Sequence, residues 1–196
     1  LLQNVERMGV ANAVVTCADP EALAQRFAGY FDKILVDAPC SGEGMLRKEA
    51  AAAENWSVQN VEMCAARQKK ILACAVKMLA GGGKLVYSTC TFSEEEDERN
   101  AEWLLHEFPF LKLEESRKIY PHRERGEGHF AALFSREEGE RARLRPAVAA
   151  AEKRLQTLWK DFSAAFLKQT LPGRLFSFGK GLCLVPEELF SLDGLK

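Results

Sequence analysis

Apolar positions along the chain follow two periods, one near 3.6 and one of short continuous runs, so helices and strands alternate. Leu1, Leu2, Val5 and Met8 recur at helical spacing, with Gly9 placed to cap the helix end. Ala13 to Thr16 reads as a strand running out into Cys17, Ala18 and Asp19, and a helix follows over 20–28. Ile34, Leu35 and Val36 form a short apolar run of the kind buried on both faces of a parallel sheet. Ser57 is a candidate N-cap for a long helix with Val61, Cys64, Ile71, Leu72, Ala75, Met78 and Leu79 on one face. Gly81, Gly82 and Gly83 read as its terminator, and the next strand covers 84–90. Ser93 and Glu96 have the spacing of a capping box for a helix over 94–107, whose buried side carries Trp103, Leu104 and Phe108. Glu94, Glu95 and Asp97 then suit the positive end of that helix and are not expected to form a metal site.

Further on, 109–120 predicts a strand with a loop, and 129–135 a second strand. Charges dominate 136–145, a candidate boundary or linker. Helix 146–169 presents Leu155, Leu158, Trp159, Phe162 and Phe166, and two short strands follow near 174–178 and 181–185. The pattern predicts an α/β sheet over residues 1–140 and the start of a small α+β domain over 141–196.

In open α/β sheets ligands sit just past the carboxyl ends of the strands. Two apolar runs end in thiols there: DAPCSG at 37–42 and STCT at 88–91. Asp37 offers an anionic acceptor, Cys40 and Cys90 are candidate nucleophiles, and Pro39 stiffens the link before Cys40. Neighbouring strands are about 4.8 Å apart, so both thiols can face one substrate. Asp19 reads equally as a ligand contact and as the N-cap of helix 20–28. Gly42, Gly44, Arg47, Lys48 and Glu49 form a loop beside these thiols, its basic side chains either phosphate contacts or solvated surface charges.

The 196 residues carry a net charge of −1, so a global basic field for nonspecific nucleic-acid binding is absent, although 27 Lys and Arg allow a local basic face. Six cysteines without CxxC spacing argue against a zinc knuckle and for reduced thiols in a cytoplasmic protein. No apolar run approaches the roughly 20 residues of a membrane helix.

The paired motifs resemble those of the RNA cytosine carbon-5 methyltransferases of the Nop/Sun type. PHRERGEGHFAALF at 121–134 and LPGRLFSFGKGLCLVP at 171–186 resemble the ribosomal small-subunit methyltransferase F branch of that family. The resemblance implies a Rossmann-like class I methyltransferase sheet, S-adenosylmethionine as cofactor and ribosomal RNA, 16S in this branch, as substrate. It assigns the nucleophile to Cys90 and product release to Cys40, with Asp37 either bonding the base edge or assisting protonation of the ring. It further implies that Asp19 and Asp37 bind the cofactor, Asp19 at the adenine, and that the edge around His122 lies beside the target base. The C-terminal part resembles the opening of an RNA-recognition domain.

Methyltransferases of this fold hold the cofactor in a Gly-rich turn after the first strand. That turn would lie upstream of Leu1, so the sequence is expected to be a fragment cut at both ends, weak in cofactor binding and inactive alone. Its exposed sheet edge would invite self-association. The rival readings are a noncatalytic RNA-binding fragment and a cysteine acyl-transfer enzyme using His106, His122 or His129.

Overall fold

In the computed structural model, Phe31–Asp37 (β1) and Leu79–Thr89 (β2) pair in parallel, with Asp37 opposite Ser88, so both strands deliver their carboxyl ends to the same edge. Leu111–Ile119 (β3) and His129–Arg136 (β4) pair antiparallel with each other, and β4 pairs antiparallel with β2. The sheet order is β1-β2-β4-β3. All residues are described except 11, 49–55, 145–150, 170, 179–180, 187–188 and 192–196. Glu49 and the first turn expected of helix 146–169 therefore lie outside the described residues.

The sheet belongs to the first of two units, Ala18–Arg143; Leu1–Cys17 and Leu144–Lys196 form the second. In the first, Pro20–Arg26 (α2), Val58–Met78 (α3) and Glu98–Glu107 (α4) are the helices, with a short 3₁₀ turn at Glu43–Met45. Alternate strand residues Val36, Leu85, Tyr87, Phe130, Ala132 and Phe134 form the core with Leu72, Ala75, Val76 and Leu104 of α3 and α4. A buried stripe of Val61, Ala65, Gln68, Leu72, Ala75 and Val76 runs along α3, leaving Cys64, Cys74, Ile71 and Met78 half-buried at its margin. Ser57 caps α3, its hydroxyl accepting from Asn60 N at 3.1 Å. Ser57→Ala should therefore lower the stability of the full-length gene product by about 1 kcal/mol, read as a shift of the urea midpoint at unchanged slope.

Four sequence expectations are corrected. Residues 13–16 are irregular, with Val14 and Val15 exposed, because no described strand offers them a ladder. Leu35 is 68% exposed: β1 is buried on one face only, and β2 is its one partner among the described residues. The glycines at 81–83 do not terminate α3, which ends at Met78; they lie inside β2. There the register jumps from Phe31↔Leu79 to Lys33↔Lys84, and Gly82, at φ +72°, makes the bulge that absorbs the extra residues. The fourth, the capping box, is taken up with the site. The charged stretch after β4 is tied to the same unit, Glu137 O accepting from Gly82 N at 3.0 Å and Ala142 N donating to Gly29 O at 2.8 Å.

The second unit holds Leu2–Arg7 (α1), Lys153–Phe166 (α5) and the hairpin of Arg174–Phe178 (β5) and Gly181–Val185 (β6). Ala151 N donates to Leu175 O at 2.9 Å. On α5 the rings of Trp159, Phe162 and Phe166 follow one another at 5.9 and 5.1 Å, and none of the three is buried.

Candidate active site

β1 and β2 each run on past their pairing into a turn, and each turn carries one thiol. Cys40 Sγ and Cys90 Sγ lie 3.0 Å apart, both half-buried and both free. Cys90 N also donates to Cys40 Sγ at 3.3 Å. Burial, followed by the side-chain hydrogen bond shared with Cys90, pushes the Cys40 thiol up to about 12, so at neutral pH it keeps its proton.

The two turns are fastened to each other. Ser41 Oγ and Thr91 Oγ1 are 2.9 Å apart, and Gly44 N donates to Cys90 O at 2.8 Å. Glu43 accepts from Phe92 N at 3.0 Å, from Thr91 Oγ1 at 3.2 Å and from Trp56 Nε1 at 2.8 Å. Gly44 also lies against Gly128 of the β3–β4 loop; a Cβ on either would sit 2.8 Å from the other's Cα, which only glycine avoids. The β3–β4 loop is thereby brought to the Cys90 turn. Beside it Phe92 stacks on Tyr120 at 5.4 Å, and His122 lies against Tyr120 at 5.4 Å. Arg47 and Lys48 do not stand as free phosphate ligands here, since both pair with Glu127, at 3.1 and 3.9 Å.

Beneath the turns the acidic run has a different role from the one its spacing suggests. Helix α4 starts at Glu98, and Ser93 N donates to Thr91 Oγ1 instead of to Glu96. Glu96 is fully buried and accepts from Ser41 N at 3.0 Å and from Gln68 Nε2 at 2.7 Å. Asp97, also fully buried, accepts from Thr89 Oγ1 at 2.6 Å and pairs with Lys118 Nζ at 3.0 Å. Glu96 turns inward to a backbone donor of the Cys40 turn, Ser41 N, and Asp97 to side-chain donors, Thr89 Oγ1 and Lys118 Nζ. Tyr87 OH reaches Gln68 Oε1 at 3.0 Å and Glu96 O at 2.5 Å, and burial pushes its phenol up. Tyr87→Phe leaves a buried acceptor unmatched, and should cost about 1–3 kcal/mol in a urea titration.

Asp37 is exposed at the end of β1 and accepts from Ser88 Oγ at 3.4 Å. Asp19 occupies the N-cap position of α2, but its side chain makes no capping hydrogen bond and is exposed. Both carboxylates are thus open to a ligand. Sequence reasoning located the two thiols and missed Glu96, Gln68, Glu43 and Lys118. Gln68 had a signal: it is the one polar residue in the apolar stripe of α3.

The fold matches solved methyltransferases. NSun6 from Pyrococcus horikoshii with SFG is 31% identical, superposing with a TM-score of 0.62 over 70% of this chain and 38% of that one. A methyltransferase homologue from the same organism is 26% identical, with a TM-score of 0.60 over 69% of this chain and 48% of the other. The fold is that of the class I methyltransferases.

Residues 1–135 match the family model of the 16S rRNA methyltransferase RsmB/F family, and the chain belongs to that family. Ribosomal RNA small subunit methyltransferase F of Psychromonas ingrahamii is 30% identical over 95% of this chain and 44% of its own length. That of Pectobacterium carotovorum is 38% identical over 62% of this chain and 25% of its own. The chain spans less than half the length of these curated relatives.

Proposed function

We propose that the gene product carrying this sequence methylates carbon 5 of a cytosine in 16S ribosomal RNA, with Cys90 as nucleophile and Cys40 as the group that releases the product. The observation that carries the reading is the pair of sulfurs 3.0 Å apart at the carboxyl ends of adjacent parallel strands. Two thiols so close suit a reaction that needs a nucleophile and a proton acceptor on one small ring.

Carbon 5 of cytosine is a weak nucleophile. Addition of the Cys90 thiolate at carbon 6 makes the ring an enamine whose carbon 5 accepts a methyl group. S-adenosylmethionine, when bound, supplies that methyl as a sulfonium. Asp19 and Asp37 are the side chains here that would hold it, since both carboxylates are exposed, Asp37 at the end of β1 and Asp19 at the start of α2, where it is unused as a cap. Asp37 would also meet the polar edge of the base. With its own proton given up to solvent, the Cys40 thiolate takes the proton from carbon 5, the carbon 6–sulfur bond breaks, and Cys90 returns as thiolate while Cys40 is restored as the thiol of the resting site.

The direction of the Cys40 shift fits this order. In the resting site the two thiols share a hydrogen bond, and that bond and the Cys90 charge both raise Cys40. Once the Cys90 sulfur is bonded to carbon it carries no charge, both of these effects fall away, and Cys40 ionises more readily when its base role begins. The base must be unstacked to reach the thiols, and the aromatic group of Phe92, Tyr120 and His122 beside the Cys90 turn offers surfaces for neighbouring bases. The thiol variants described in the Discussion test the assignment.

A further inference from the structure

The backbone groups on either side of Cys40 are both held by one pair of buried side chains. Pro39 O accepts from Gln68 Nε2 at 3.0 Å, and Ser41 N donates to Glu96 Oε2 at 3.0 Å. Gln68 Nε2 donates to the same Glu96 oxygen at 2.7 Å, closing the arrangement beneath the turn. The amide of Gln68 has no freedom to turn over. Its Oε1 accepts from Asn100 Nδ2 at 2.8 Å and from Tyr87 OH at 3.0 Å, so Nε2 must face Glu96 and Pro39. Gln68, Tyr87, Glu96 and Asn100 are all fully buried.

The carboxylate is costly where it stands: burial pushes Glu96 up, and the groups that bond its side chain are neutral donors. Two N–H groups converge on it, one from the backbone and one from an amide of fixed orientation. Ser41 N also lies 3.3 Å from the second oxygen, so a glutamine that keeps its carbonyl on the shared position sets its NH₂ against Ser41 N.

We propose that Glu96, acting through Gln68, is a positioning residue for Cys40, fixing the 39–41 backbone so that its sulfur meets the proton to be removed. The inference rests on the assignment of Cys40 to product release, and it separates the two thiols. Cys90 has holds of its own, Asp97 at Thr89 and Gly44 at its carbonyl, besides its links to the Cys40 turn through Cys40 Sγ and Ser41, so loss of Glu96 should disturb Cys40 more than Cys90.

The test compares Glu96→Gln, Gln68→Leu and Cys40→Ala in the full-length gene product with two readouts. The first needs no RNA. Iodoacetamide alkylation is followed on tryptic peptides 34–47 and 85–99, which carry Cys40 and Cys90 respectively. Positioning predicts that the rate at Cys40 relative to Cys90 changes severalfold in both buried-pair variants. The second is RNA held in a denaturant-resistant adduct. Displacement by about 1 Å can cost on the order of 100-fold, so Glu96→Gln should slow steady-state turnover to that extent and accumulate adduct, while single-turnover methyl transfer persists.

An unchanged alkylation ratio, or methyl transfer and release falling together with no adduct, would overturn the proposal and leave Glu96 a purely structural residue. If Cys40→Ala itself fails to trap RNA, the release role of Cys40 is wrong, and the alkylation ratio still decides whether Glu96 positions that thiol. Should Glu96→Gln fail to fold, Gln68→Leu, which leaves the carboxylate on Ser41 N, carries both readouts alone.

Discussion

Cys90→Ala in the full-length gene product should abolish methylation of 16S rRNA and form no covalent complex, whereas Cys40→Ala should hold RNA in a complex that survives denaturant. On the proposed assignment, without the Cys90 thiolate nothing adds to carbon 6, and carbon 5 never becomes nucleophilic. Without Cys40 the addition and methyl transfer still proceed, but the proton at carbon 5 has no acceptor and Cys90 cannot leave. General base catalysis is worth about 10²–10⁴-fold, so turnover should fall by that range as the adduct accumulates. The 3.0 Å separation of the sulfurs would let one ring meet both. Trapping by Cys90→Ala and not by Cys40→Ala would reverse the two roles.

Lys118→Met should be the most damaging single change to stability away from the hydrophobic core. The ammonium pairs with buried Asp97 at 3.0 Å and with Glu98 at 2.7 Å, and it donates to Phe92 O at 3.2 Å. Removing one partner of a buried pair costs about 3–5 kcal/mol, because the other charge is left uncompensated. The loss should depend on pH. Burial already pushes the Asp97 carboxyl up to about 6 from 3.8, against the pull of Thr89 and Lys118. A raised carboxyl favours the fold while protonated, so its contribution is present below about 3.8 and is lost as pH rises through about 6. Without Lys118 the carboxyl titrates higher still. The deficit against the parent should thus be small near pH 4 and largest near pH 8, read from urea midpoints across that range. A deficit that does not vary with pH would mean that Asp97 is not the group left exposed to the loss.

The two thiols were legible in the sequence because apolar runs ending in Asp37 and Ser88 obey the strand-end rule, and because both runs are parallel strands of one sheet. The buried stripe of α3 was legible in part, as helical spacing that picked out Val61, Leu72 and Ala75. Glu96 was not. Its spacing from Ser93 imitates a capping box, and local pattern cannot show that Ser41, more than fifty residues earlier, brings a stronger claim on the carboxylate. The glycines at 81–83 misled in a similar way: after a helix they look like a stop, but the register jump that needs them is a property of the pairing with β1. Leu35 is apolar without being buried, since only the sheet's surroundings decide whether both faces of β1 are covered.

The central claim, that Cys90 attacks carbon 6, is tested most directly with RNA bearing 5-fluorocytosine. Fluorine at carbon 5 cannot be removed as a proton, so the unaltered full-length gene product with S-adenosylmethionine should stop as a covalent adduct. Tryptic digestion then separates the thiols, with Cys90 in residues 85–99 and Cys40 in residues 34–47. The account predicts a methylated fluoronucleotide on the 85–99 peptide and an unmodified 34–47 peptide. Nucleotide on 34–47, or no adduct on either peptide, would contradict it.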